Sequence, residues 1–276
     1  MTRHPKLKRG KNGQILVERF SLPRRLEHAL ALLTVTTLFL TGLPQILDGK
    51  VGATMLRLFG GLDAARHIHR VAGLVLCVHA AAHITANFIG VVTGRMRLAL
   101  LPTTEDVKDA RDTLLYYFGF RSEGPRLPKF DYRQKFEYLG MVFGGLAMVA
   151  SGLVLLYPQA TASLLPGEII PAARVLHTNE AVLAFLVLII WHVYGSHLSP
   201  EVFPIDKSIF TGYITLEDLK RQHAREYEHL FPHGAPVLPG EKAPAPSPAP
   251  PPAAASQSPG LPPGSETGTD GMNRSA

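Results

Sequence analysis

The chain has a single cysteine, Cys77, among 276 residues. No disulfide can close within it, and an iron–sulfur cluster held by four thiolates of this chain is excluded. Cys77 falls inside an apolar run and reads as a small packing residue. Charge is also scarce, at 18% of residues against 46% hydrophobic, and it avoids four long stretches. Residues 26–47 contain one charge, and residues 71–93, 138–157 and 181–194 contain none. A cleavable signal peptide is not expected, because some twenty basic and polar residues precede the first apolar run. The aromatic and arginine-rich signatures of nucleic-acid modules are missing, so a pI near 9.5 does not imply a nucleic-acid partner.

What is present is apolar length. With its flanks, each stretch reaches the ~20 residues that cross a bilayer. The expected spans are 22–47, 62–92, 133–157 and 172–197. Pro23 sits in the first turn of span one, where a missing N–H costs nothing. Lys and Arg crowd the segment 1–21 and the loop between spans two and three, and are few in the other two loops. This alternation predicts a multi-pass protein of a bacterial inner membrane with both termini in the cytoplasm. In the basic loop, residues 104–118 form an amphipathic helix candidate, with Val107, Ala110, Leu114 and Tyr117 or Phe118 on its apolar face. A helix near 216–229 is expected, capped by Thr215. Residues 234–276 are rich in Pro, Ala, Ser and Gly and are expected to be disordered. The fold class is therefore all-α: a four-helix transmembrane bundle (22–233) between a basic arm (1–21) and a disordered tail. No internal repeat is evident, although spans two and four rhyme in their histidines.

Those histidines are the chemistry. His69 and His83 stand 14 residues apart in span two, and His177 and His192 stand 15 apart in span four. At ~100° and ~1.5 Å per residue, each pair shares roughly one helix face at two depths ~21–23 Å apart. Imidazole is a common ligand for iron, and two such helices can hold two haems, one above the other. His69 and His177 both open their spans on the outer side and pair across one haem, with Arg66, Arg70 and Arg174 near enough to neutralise propionates. Gly73, one turn beyond His69, lets a large ring approach the backbone. In the inner layer His192 can pair with His83 or with His28. His197, five residues past His192, is turned ~140° away in an α-helix. Spare histidines can serve a quinone, relay protons or ligate a third haem. His67 and His79 read as hydrogen-bonded helix residues, and His4, His223, His229 and His233 as solvated. Gly140 and Gly144 in span three read as a close-packing pair. Glu180 and Asn87 are polar groups at membrane depth that a quinone site can use.

The stretch from Glu18 to His28, then Ile68–His69–Arg70, then His177 and Trp191–His192 resemble the cytochrome b subunit of membrane-bound formate dehydrogenases. The wider family includes the b subunits of nickel hydrogenases and thiosulfate reductases. The resemblance covers roughly residues 15–230. It implies four spans, two b haems, and electrons passed between a respiratory dehydrogenase or reductase and the quinone pool. It also implies partner subunits carrying iron–sulfur clusters or several haems. Carried over by position, its ligands are His28, His69, His177 and His192. The sequence departs from that pattern by adding His83 and His197. His83 with His69, His177 and His192 resembles instead the cytochrome b of quinol-oxidising bc complexes. Two readings of another class compete: an intramembrane histidine-based metal-ion or proton transporter, and a haem-free membrane anchor. A transporter predicts ligands gathered at one depth with acidic neighbours.

Overall fold

The computed structural model describes residues 5–47, 49–95, 99–200, 202–232, 234 and 236. His4, His233 and nearly all of the tail expected to be disordered lie outside the described residues. The basic arm is a hairpin, for which the sequence reading made no provision. Strands β1 (Leu7–Arg9) and β2 (Ile15–Glu18) pair antiparallel, with Leu7 opposite Val17. Gly13 supplies the positive φ of the turn. A third strand, reached only after span four, adds Ile214 opposite Val17 on the free edge of β2. Both flanks of the bundle therefore meet in one small sheet, and this side of the molecule is called the sheet end.

From there α1 (Leu22–Gly42) runs outward with Pro23 in its first turn, and a 3-10 turn extends it to Gln45. The short α2 (Gly49–Leu58) leads to α3 (Leu62–Val92), which returns to the sheet end. The connecting segment carries α4 (Thr104–Tyr117). Helix α5 (Tyr132–Leu156) starts in a capping box: Asp131 Oδ1 accepts from the Gln134 N–H at 3.0 Å, and Gln134 Oε1 accepts from the Asp131 N–H at 3.2 Å. Pro158 stops α5 and opens α6 (Pro158–Leu164). Helix α7 (Ile169–Leu186) descends and continues as a π-helix over Val187–Leu198. Beyond it come α8 (Ser208–Thr211), β3 (Tyr213–Thr215), α9 (Leu216–Gln222) and α10 (Ala224–Leu230). Thr215 caps α9 as expected, accepting from the Asp218 N–H at 3.0 Å.

Four segments are long and apolar enough to cross a membrane: Leu22–Gln45, Leu62–Val92, Tyr132–Leu156 and Ile169–Leu198. Their large side chains, such as Leu33, Val78, Phe143 and Ile190, point outward. The positions they bury are small, such as Ala65, Ala72, Thr41 and Ser151. That inversion is what packing in lipid selects. Helix α1 packs along α3, and α5 along α7, far more than α3 touches α5. The bundle is thus two hairpins facing each other.

Span four corrects an assumption. The sequence reading treated it as α-helical throughout, which turned His197 away from His192. In the π register a bond joins i to i+5, as from the Ser199 N–H to the Tyr194 carbonyl at 2.8 Å. Residues five apart then lie one turn apart, so His197 follows His192 down one face.

Candidate functional site

The site begins with four imidazoles that meet in twos. The ring centres of His69 and His177 are 6.3 Å apart, and those of His28 and His192 are 6.2 Å apart. Two imidazoles bound on opposite sides of one metal, each nitrogen about 2 Å from it, have ring centres about 6 Å apart. Both separations suit a shared metal. Each pair takes one histidine from each hairpin, so anything held between the rings bridges the two halves of the bundle.

Hydrogen bonds fix which nitrogen faces inward. Thr41 Oγ1 donates its one proton to the Thr37 carbonyl at 2.7 Å, so its lone pairs are left for His69 Nδ1–H at 3.0 Å. Ser151 Oγ likewise donates to the Ala147 carbonyl at 2.7 Å and accepts from His177 Nδ1–H at 3.0 Å. His69 and His177 therefore both keep an Nε2 lone pair for a metal, with a neighbour holding the ring, which is the usual arrangement of a ligating histidine. A glycine makes room beside each. A Cβ at Gly42 would stand 2.9 Å from His69 Cε1, and one at Gly152 would stand 3.3 Å from His177 Cε1. At Gly73 a Cβ would meet nothing within 4 Å, so α3 is open on that side.

Toward the sheet end the supporting group changes. His192 Nδ1–H donates to Glu137 Oε1 at 2.6 Å, a carboxylate in place of a hydroxyl. His83 is held the same way, donating from Nδ1 to Glu27 Oε1 at 2.5 Å. Its Nε2 accepts from Asn87 Nδ2 at 2.8 Å and lies 3.5 Å from the Tyr138 hydroxyl. Arg24 completes the cluster, donating to Glu27 Oε2 and Asn87 Oδ1, both at 2.8 Å. Of the two partners left open for His192, the structure brings His28 to it and engages His83 in this polar cluster.

The two hairpins turn out to be variations on one pattern. Glu27 precedes Thr41–Gly42 by 14 residues on α1, and Glu137 precedes Ser151–Gly152 by 14 on α5. Each glutamate holds a histidine near the sheet end and each hydroxyl holds one near the far end. The symmetry breaks at His28, which faces His192 where the pattern offers His83. The sequence reading missed Glu27, Thr41, Gly42, Glu137, Ser151 and Gly152, although their matched spacing was there to be found once spans one and three were compared as well as two and four.

The remaining candidates lie as follows. His197 stacks on Phe210 with centroids 5.9 Å apart, and its buried Nδ1 has no hydrogen-bond partner. It is close enough to His28 to interact with it electrostatically. Arg66, Arg70 and Arg174 are exposed. His67 is exposed and His79 half-buried. A Cβ at Gly140 would meet nothing within 4 Å, whereas one at Gly144 would collide with Glu180 Oε1, so that glycine seats a carboxylate. His229 is exposed as expected, but His223 is not solvated. It is 8% exposed and donates from Nδ1 to the Pro128 carbonyl at 2.9 Å. Among the described residues, no group of three or more His, Cys, Asp or Glu side chains is gathered to hold a bare ion.

The family model described as prokaryotic cytochrome b561 matches residues 19–203, which include all four facing histidines. No curated protein matches the chain.

Proposed function

The chain belongs to the prokaryotic cytochrome b561 family, a family of membrane cytochromes that bind b-type haem and transfer electrons, and we propose that it carries two haems stacked between its hairpins. His69 and His177 would ligate one, and His28 and His192 the other. The observation that carries this reading is the pair of facing imidazoles at 6.3 Å and 6.2 Å, each imidazole drawn from a different helix. When bound, a b haem gains and releases one electron at its iron without bond rearrangement. The chain's own residues do the rest. Thr41 and Ser151 orient one pair of rings, and Glu137 orients His192. Arg66, Arg70 and Arg174, exposed on the same helices as His69 and His177, would supply positive charge to the propionates of that haem, and the unpartnered Nδ1 of His197 suits a propionate or a quinone at the other.

Electrons would pass between the quinone pool and a respiratory dehydrogenase or reductase whose iron–sulfur or multihaem subunit docks on the far end. The Lys and Arg distribution supports a cytoplasmic sheet end in a bacterial cytoplasmic membrane. The quinone would lie beside the His28–His192 pair. His83 is better suited to that substrate than to iron, because its Nε2 lone pair already accepts from a hydrogen-bond donor, the Asn87 amide at 2.8 Å, whose place a quinol hydroxyl would take. In quinol oxidation that lone pair accepts a hydroxyl proton and Glu27 stabilises the resulting imidazolium. In the reverse direction His83 returns the proton. The test is a reduced-minus-oxidised absorption spectrum of the purified protein with a haem assay. Sharp low-spin b bands and two haems per chain are expected. One haem, or none, would overturn the assignment.

A further inference from the structure

Helix α4 (Thr104–Tyr117) is built inside out. The residues it buries are Asp106, Asp109 and Thr113, at 5%, 4% and 6% exposure, spaced three and four apart along one face. Asp106 takes the Lys135 ammonium on both carboxylate oxygens at 2.8 Å. Asp109 takes the Arg225 guanidinium on both of its own, at 2.8 and 3.1 Å. The polar face therefore closes against the first turn of α5 and against α10. A face about a third of a turn round, ending at the C-cap residue Phe118, leaves Val107, Leu114 and Phe118 at 72%, 56% and 73% exposure.

We infer that α4 lies flat in the membrane interface at the sheet end, with Val107, Leu114 and Phe118 among the acyl chains. Two observations select lipid as the occupant. Lys135 belongs to the first turn of a membrane-spanning helix, so the buried ion pair with Asp106 pins α4 at the depth where α5 enters the bilayer. Phe136, the next residue of α5, is itself 70% exposed, so a lipid-facing surface begins at the same level. Lys108 and Arg111 are exposed and long enough to reach headgroup phosphates while their stems cover apolar surface. A helix with one apolar and one charged face takes this position at a bilayer surface. The inference is independent of the haem assignment and of which compartment the sheet end faces.

Nitroxide labels test it in the full-length protein reconstituted into phosphatidylethanolamine–phosphatidylglycerol nanodiscs. The background is Cys77→Ala, and the label sites are Val107→Cys, Leu114→Cys, Phe118→Cys and Lys108→Cys. Oxygen concentrates in the bilayer and a nickel chelate stays in water. At positions 107, 114 and 118 the ratio of oxygen to chelate accessibility is expected to exceed that at 108 several-fold. Chelate access at those three sites equal to that at 108 would overturn the inference by placing the face in water. Exclusion of both reagents would overturn it by showing protein over the face.

Discussion

A histidine that ligates a metal needs one ring nitrogen held and the other left free. His69, His177 and His192 each meet that condition through Nδ1, with Thr41, Ser151 and Glu137 as the holding groups. Replacing His69 or His177 by Ala would remove one of the two imidazoles proposed to hold the far haem and leave the His28–His192 pair intact. Haem content should fall from two toward one per chain, with the second haem keeping its spectrum. Loss of both, or of neither, by haemochrome assay would refute the pairing. With iron bound at His192, the Glu137 carboxylate at its Nδ1 would draw the ring toward imidazolate and favour the ferric state more than a hydroxyl would. Glu137→Gln keeps the acceptor and removes the charge. It should raise one of two midpoint potentials by roughly 40–60 mV, equivalent to about 1–1.4 kcal/mol for a one-electron couple. The other potential should stay in place in the same redox titration, and equal movement of both would count against a local effect.

At the scale of elements, packing between the helices of each hairpin sets how close the rings can stand. Gly42 is tight against an imidazole already held by its neighbour Thr41, so Gly42→Ala drives a Cβ into a ring with little freedom to move. Overpacking of this kind costs ~1–3 kcal/mol, and the variant should bind less haem at the His69–His177 pair and unfold at lower temperature. Gly144→Ala looks worse by distance, but the atom it meets is the end of the flexible Glu180 side chain. It should remain close to wild type in the same assays. The spans and the far pair were legible in the sequence because apolar length and histidine spacing are properties of single helices. The partner of His192 was not, because His28 and His83 sit on different helices and only the packing of α1 decides between them. The direction of His197 was misread because a π segment leaves no spacing signature in so short a stretch. The arm was read as polar, since seven strand residues, Leu7–Arg9 and Ile15–Glu18, become a hairpin edge only when β3 arrives from some two hundred residues later.

For the molecule as a whole, the sheet end is where the chain closes on itself, and its small apolar core lies beside buried charge. Val17, Ile214 and Leu219 are buried beside Arg19, and Arg19 Nη1 stands 4.0 Å from Glu226 Oε2. Burial lowers the pKa of Arg19 and of Lys129 from their ordinary values. Burial, and then the positive charge of Arg19, push His223 down to about 4. An unfolded histidine titrates near 6.5, so on acidification the unfolded chain takes up this proton first. The contribution of neutral His223 is therefore complete above about pH 6.5, declines as pH falls, and is gone below about 4, with a total of at most ~3 kcal/mol. Hydrogen exchange of the Val17, Ile214 and Leu219 amides in the reconstituted protein should quicken progressively from pH 6.5 to 4, after correction for the intrinsic rate. In His223→Gln, which can still donate to the Pro128 carbonyl but cannot titrate, that excess should vanish. An unchanged acid dependence in the variant would show that the effect does not come from His223.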